Sequence, residues 1–147
     1  MAKIVRNLRK KKYLGLVLLF AVLLVAVILF RGHMQKEPDL RSLEARQSFL
    51  LSKGWEIDLS SEEHKTVRIP ASLDDVIADY NKIQLAQGCD LSKHLGQSCE
   101  QYSYTVTNYP DESQTVLVTL YVQNGRLIAG DVHSTALNGF MQGLRRE

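Results

Sequence analysis

The chain has 147 residues with a formal net charge of +2, enough for one ordinary domain and a tail but not for two full domains. The charge is unevenly spread: residues 1–12 hold six Lys or Arg and no acid, residues 13–30 hold no charge, and the remaining 12 basic groups face all 16 acids. The folded part is therefore slightly acidic, which excludes a nucleic-acid-binding domain, and two cysteines exclude a disulfide-dense scaffold.

Residues 1–12 read as a basic cytoplasmic tail. Residues 13–30, YLGLVLLFAVLLVAVILF, would span roughly 27 Å as a helix, against a bilayer core of about 30 Å. The run is longer than a signal-peptide core and ends in Leu29-Phe30-Arg31 without an A-x-A pattern, so the expectation is an uncleaved single-pass anchor in the cell membrane. The six positive charges before it place the N-terminus in the cytoplasm and the rest outside. The lipid bilayer is thus the first expected partner, through residues 13–30.

Residues 31–38 read as a polar linker, and residues 39–147 as the extracytoplasmic domain. Asp39 is placed to cap a helix through Leu40, Leu43, Phe49, Leu50 and Leu51, closed by Lys53-Gly54. Trp55 to Leu59 alternates, Ser60 to Glu63 reads as a turn, and Lys65 to Ile69 alternates again, which predicts a hairpin. Ser72 and Asp75 resemble a capping box ahead of Leu73, Val76, Ile77, Tyr80 and Ile83, one face of a helix that ends at Gln87-Gly88. Asp90 to Leu95 suits one more turn.

Three strands follow. Tyr102, Tyr104 and Val106 alternate with polar residues. Thr115 to Val122 is aliphatic on both faces, as in a central strand. Asn124-Gly125 is a strong hairpin signal leading into the strand over residues 126–132. Leu137, Phe140, Met141 and Leu144 predict a short last helix, weakened by Gly139 and Gly143. The expected fold class is α+β: one N-terminal transmembrane helix, then a two-layer domain with its helices on one face of a mostly antiparallel sheet.

Several strings in this order carry a resemblance: Gly54-Trp55-Glu56, Ile69-Pro70, Tyr80-Asn81-Lys82-Ile83-Gln84, Asp90-Leu91-Ser92, Asn108-Tyr109-Pro110, and Gly130-Asp131-Val132 with Gly139-Phe140-Met141. Over roughly residues 45–145 the chain resembles a bacterial, mainly clostridial, family known as domain of unknown function 4830. The resemblance implies a small membrane-anchored protein with one extracytoplasmic domain. It implies no activity, cofactor or catalytic residue.

The residues with chemistry are few. Cys89 and Cys99 lie ten apart in a compartment that permits disulfides. A bridge there would contribute about 2.5–3 kcal/mol in the chain-entropy model, and the alternative is two reduced thiols. Cys89, His94 and Cys99 fall short of the four closely spaced ligands of structural zinc. Asp131 and His133 share a strand face and are the site candidates. With Ser134 they are too close in sequence for an ordinary triad, and capping explains Ser134 more economically. Tyr80, Tyr102, Tyr104, Tyr109 and Tyr121 either line a groove or cover a sheet face. No nucleotide, metal-protease or hydrolase motif is present, so no catalytic residue, metal or cofactor is assigned. The expectation is a binding or assembly module of the bacterial envelope, with another envelope protein as the second candidate partner. The alternatives are an envelope hydrolase using Asp131 and His133, or a sensor acting through a membrane partner.

Overall fold

The computed structural model describes residues 37–111 and 113–146, together with Phe20. The chain divides into two compact units, Met1–Glu37 and Pro38–Glu147, and the fold described here is that of the second. The membrane-crossing helix expected over residues 13–30 lies outside the described residues, Phe20 apart. Among the described residues no helix is long and apolar enough to cross a membrane.

Elements run in the order α1 (Leu43–Ser52), β1 (Ile57–Arg68), α2 (Asp75–Ala86), a short 3-10 helix (Leu91–His94), β2 (Ser98–Val106), β3 (Val116–Gln123), β4 (Arg126–Ser134) and β5 (Met141–Gln142). The strands form one sheet in the order β1-β2-β3-β4-β5, with every pairing antiparallel. Asn124 and Gly125 both take positive φ, 53° and 81°, which is what a two-residue type I′ turn between β3 and β4 requires.

The expected fold class needs correction in three respects. First, the helices do not share a sheet face. Side chains alternate along a strand. Tyr102, Tyr104, Val116, Val118 and Leu120 pack with Leu50 of α1, while Cys99, Tyr121 and Ala129 pack with Ile77 and Tyr80 of α2. The sheet is therefore covered on both faces, which is why β3 is aliphatic all round.

Second, residues 57–68 are one strand, not a hairpin. Ser60 to Glu63 form an irregularity between Asp58 and Glu63 in the register with β2. Asp58 Oδ1 accepts from the Ser60 N–H (2.9 Å), and Ser61 Oγ accepts from the Thr105 N–H (2.8 Å). These side-chain bonds stand in for ladder bonds, so the segment bulges instead of turning back.

Third, no last helix forms. Residues 135–140 loop back and Met141–Gln142 pair with His133 and Val132. Gly139 packs on Ser134, and a Cβ there would lie 2.7 Å from Ser134 Cβ. Leu144 is pulled into the core, and its carbonyl accepts from Trp55 Nε1 (2.7 Å).

The helix caps also differ from expectation. Ser42 rather than Asp39 caps α1, accepting from the Ala45 N–H (3.2 Å). Asp74 caps α2, accepting from the Ile77 N–H (2.9 Å). The α1 face is locked by Arg46, which is buried. Its Nε donates to Tyr104 Oη (2.6 Å), its Nη1 to the carbonyls of Leu40 and Arg41 (3.1 and 2.9 Å), and its Nη2 to Glu62 (2.8 Å). The guanidinium also lies 3.7 Å from the centre of the Tyr102 ring.

Candidate functional site

On the α2 face the register sets three polar side chains in one row: Ser103 opposite Thr119, and Thr119 opposite Asp131. All three are buried, and Ser103 Oγ and Thr119 Oγ1 are 3.0 Å apart. Above the row, α2 turns Ile77, Tyr80 and Ile83 toward the sheet, and Ile69, Pro70 and Leu91 close one end. Helix and sheet do not meet along their whole length. They leave an open cavity of about 630 Å³, lined by Thr119 and Asp131 of the row and by these α2 and loop residues, with Arg68, Tyr121 and His133. That volume and the mix of apolar walls with few polar groups fit a small-molecule site.

Both sequence candidates line this cavity. Asp131 is 3% exposed. Its Oδ2 accepts from Tyr80 Oη (2.7 Å) and its Oδ1 accepts from His133 Nδ1 (2.7 Å). Tyr80 is in turn set edge-on to Tyr121, with ring centres 6.4 Å apart. The chain Tyr80–Asp131–His133 thus ties α2 to β4 and fixes one imidazole.

The electrostatics follow from burial and this chain. The hydrogen bond to Asp131 raises the His133 pKa above its ordinary 6.5, and the carboxylate charge adds to that against the opposing effect of burial. Burial, with the charge of Asp131, pushes Tyr80 far up, so it stays a neutral donor. Burial pushes Tyr121 up to about 12. With Nδ1 committed to Asp131, His133 Nε2 has no hydrogen-bond partner among the described residues. Neutral, it is an acceptor, and protonated it is a donor.

A hydrolytic triad is not assembled. Ser134 sits on the opposite face, in register with Val116, and its Oγ accepts from the Ala136 N–H (3.1 Å). Asp131 is buried with both oxygens engaged, so it positions His133 and does not itself meet a substrate.

The expected bridge is not formed: Cys89 and Cys99 are not joined by a disulfide, and Cys89 is half-buried while Cys99 is buried on the α2 face. His94 is held by Gln123 (Nδ1 to Oε1, 2.9 Å), and no metal-binding group of His, Cys, Asp or Glu is found among the described residues. The five tyrosines do not gather. Tyr80 and Tyr121 line the cavity, Tyr102 and Tyr104 are in the α1 core, and Tyr109 stacks between Trp55 and Phe140. Asn81 and Asn108 fix loops: Asn81 Oδ1 accepts from the Leu91 N–H (2.7 Å) and Asn108 Oδ1 from the Glu56 N–H (3.1 Å).

The sequence names Tyr80 both as an apolar-face residue of its helix and as one of five tyrosines that line a groove or cover a sheet face, but not as a partner of Asp131. Thr119 is hidden in a β-branched run. The one available signal was a polar side chain at a central-strand position in line with Asp131.

Comparison with protein families, with characterised proteins and with solved structures gives no match to this chain. The resemblance described above therefore stands on its residue strings alone.

Proposed function

We propose that residues 38–147 are a non-enzymatic binding module of the bacterial envelope, held at the outer face of the cell membrane through residues 13–30, and that its ligand occupies the cavity between α2 and the sheet. The observation that carries the reading is the cavity itself, about 630 Å³ of largely apolar wall with a single oriented imidazole. The location rests on the basic run before residue 13 and the uncharged run after it. A hydrolase finds less support, since His133 has an orienting partner but no hydroxyl or thiol nucleophile bonded to it.

The test compares the full-length protein with its Ile77→Trp variant, each extracted from its native membrane into nanodiscs. An indole at position 77 fills the cavity. Small molecules released from the two are then compared by mass spectrometry. The reading expects a species carried by the parent and depleted at least tenfold in the variant, with circular dichroism unchanged. Identical complements from both proteins would refute it.

A further inference from the structure

The chemistry of His133 narrows the ligand. Nδ1 is committed to Asp131, which is held by Tyr80 from the helix opposite, so two elements fix the ring of a residue that lines the cavity and leave Nε2 uncommitted among the described residues. The bond to Asp131 favours the imidazolium. An imidazolium has two N–H groups to place, and only one has a taker among the described residues. A half-buried cationic N–H is met best by an anionic oxygen.

The other charged groups near the cavity do not compete. Asp79 of α2 is exposed and paired with Lys82 (2.6 Å). Arg68 of β1 also lines the cavity, with its Nε donated to the Gly96 carbonyl (3.0 Å). The neighbours of His133 in the sheet, Leu117 and Met141, are uncharged. A cationic ligand would find both Asp131 oxygens already engaged.

We propose that the cavity holds an apolar molecule bearing one carboxylate, which accepts a hydrogen bond from His133 Nε2 while its hydrocarbon part lies between α2 and the sheet. The inference rests on the binding-module reading and specifies the ligand of that site. If the ligand arrives as the free acid, its O–H bond breaks and the proton goes to neutral Nε2. If it arrives as the anion, it meets the imidazolium. The end state is the same in both cases: ligand carboxylate, imidazolium and Asp131 carboxylate in line.

The test uses the full-length protein in nanodiscs, with empty nanodiscs as the blank for partitioning. Octanoate and octanol are titrated against the parent, His133→Gln and Ile77→Trp. The proposal expects saturable octanoate binding at least tenfold tighter than octanol, a preference lost in His133→Gln, and loss of all binding in Ile77→Trp. His133→Gln leaves the Tyr80–Asp131 bond in place, so the helix stays tied to the sheet. Equal affinity for octanoate and octanol in the parent, both lost in Ile77→Trp, would overturn the carboxylate inference and leave the binding module standing. A preference for octanoate that survives in His133→Gln would overturn it too. No saturable binding of either compound would count against both readings.

Discussion

Replacing Tyr80 with Phe isolates one of the hydrogen bonds that join α2 to β4, that to Asp131. The ring stays, with its edge-on contact to Tyr121, and only the hydroxyl 2.7 Å from Asp131 Oδ2 is lost. Asp131 is 3% exposed, so water does not freely replace the missing donor. A hydrogen bond to a charged group contributes about 1.5–3 kcal/mol, and a value near 2 is expected here because His133 still supports the other oxygen. In urea that shifts the unfolding midpoint by about 1 M for a slope near 2 kcal/mol/M. A second readout separates this from simple loss of packing. With one donor gone, the carboxylate charge bears more fully on His133, so the His133 pKa rises further. In Asp131→Asn the cause of the rise is removed and the pKa falls below the parent's. Nuclear magnetic resonance titration of the imidazole in residues 38–147 measures both. A cost below 0.5 kcal/mol together with an unmoved His133 in Tyr80→Phe would refute the relay.

The pH dependence has a fixed sign. His133 binds its proton more tightly folded than unfolded, so its contribution is fully present below the ordinary 6.5 and is lost as pH rises through the raised value. Urea midpoints should fall across that window in the parent and stay flat in His133→Gln. At Gly130 an added Cβ would lie 2.7 Å from Leu144 Cδ1 and 3.0 Å from the Thr119 carbonyl. The side chain can move but the strand cannot, so Gly130→Ala should cost about 1–3 kcal/mol in the same assay. Arg46→Met should cost about 3–5 kcal/mol, because Glu62 and Tyr104 lose their shared cation; a cost under 1 kcal/mol would show the cluster to be idle. Thiol labelling should give one fast and one slow cysteine, Cys89 before Cys99, since burial holds the Cys99 thiol up and out of reach.

What could be read in advance was whatever a short window determines. Asn124-Gly125 demanded its turn, and the alternation of residues 102–106 gave the strand. The shared face of Asp131 and His133 followed from a spacing of two. What could not be read depended on contacts distant in sequence. Ser60 to Glu63 have turn composition, yet Ser61 is claimed by Thr105, 44 residues on, and Glu62 by Arg46. Leu137 to Leu144 have helical spacing, yet Gly139 packs on Ser134 and Leu144 fills the space over Gly130. The opposite placement of the helices was half legible. A central strand aliphatic on both sides needs two covers, but no local signal says which helix supplies which. The cavity was invisible because Tyr80 is 51 residues from Asp131 and its hydroxyl, not its ring, makes the site.

The two sheet faces hold their nitrogen bases differently: Arg46 is buried, and His133 is only half-buried. On the α1 side, the Arg46 guanidinium is matched by two carbonyls, a phenol and a carboxylate, and its face by an aromatic ring. Nothing there remains for a ligand to answer, as is usual for buried polar groups. On the α2 side, His133 is matched at one nitrogen only. Among the described residues, Gln84 Nε2 is a buried donor without a partner, and it shows what a purely structural exception looks like. Its amide is held by Oε1, which accepts from the Gly130 N–H (2.8 Å) and from Gln87 Nε2 (2.6 Å), so the open edge of β4 dictates its orientation and the leftover donor is a by-product. Gln84 does not line the cavity, and His133 does. Helix and sheet are tied without His133, by Tyr80 to Asp131 and by Gln84 to Gly130. The imidazole is held through Nδ1 by a carboxylate that a tyrosine of α2 also holds, and it lines the cavity.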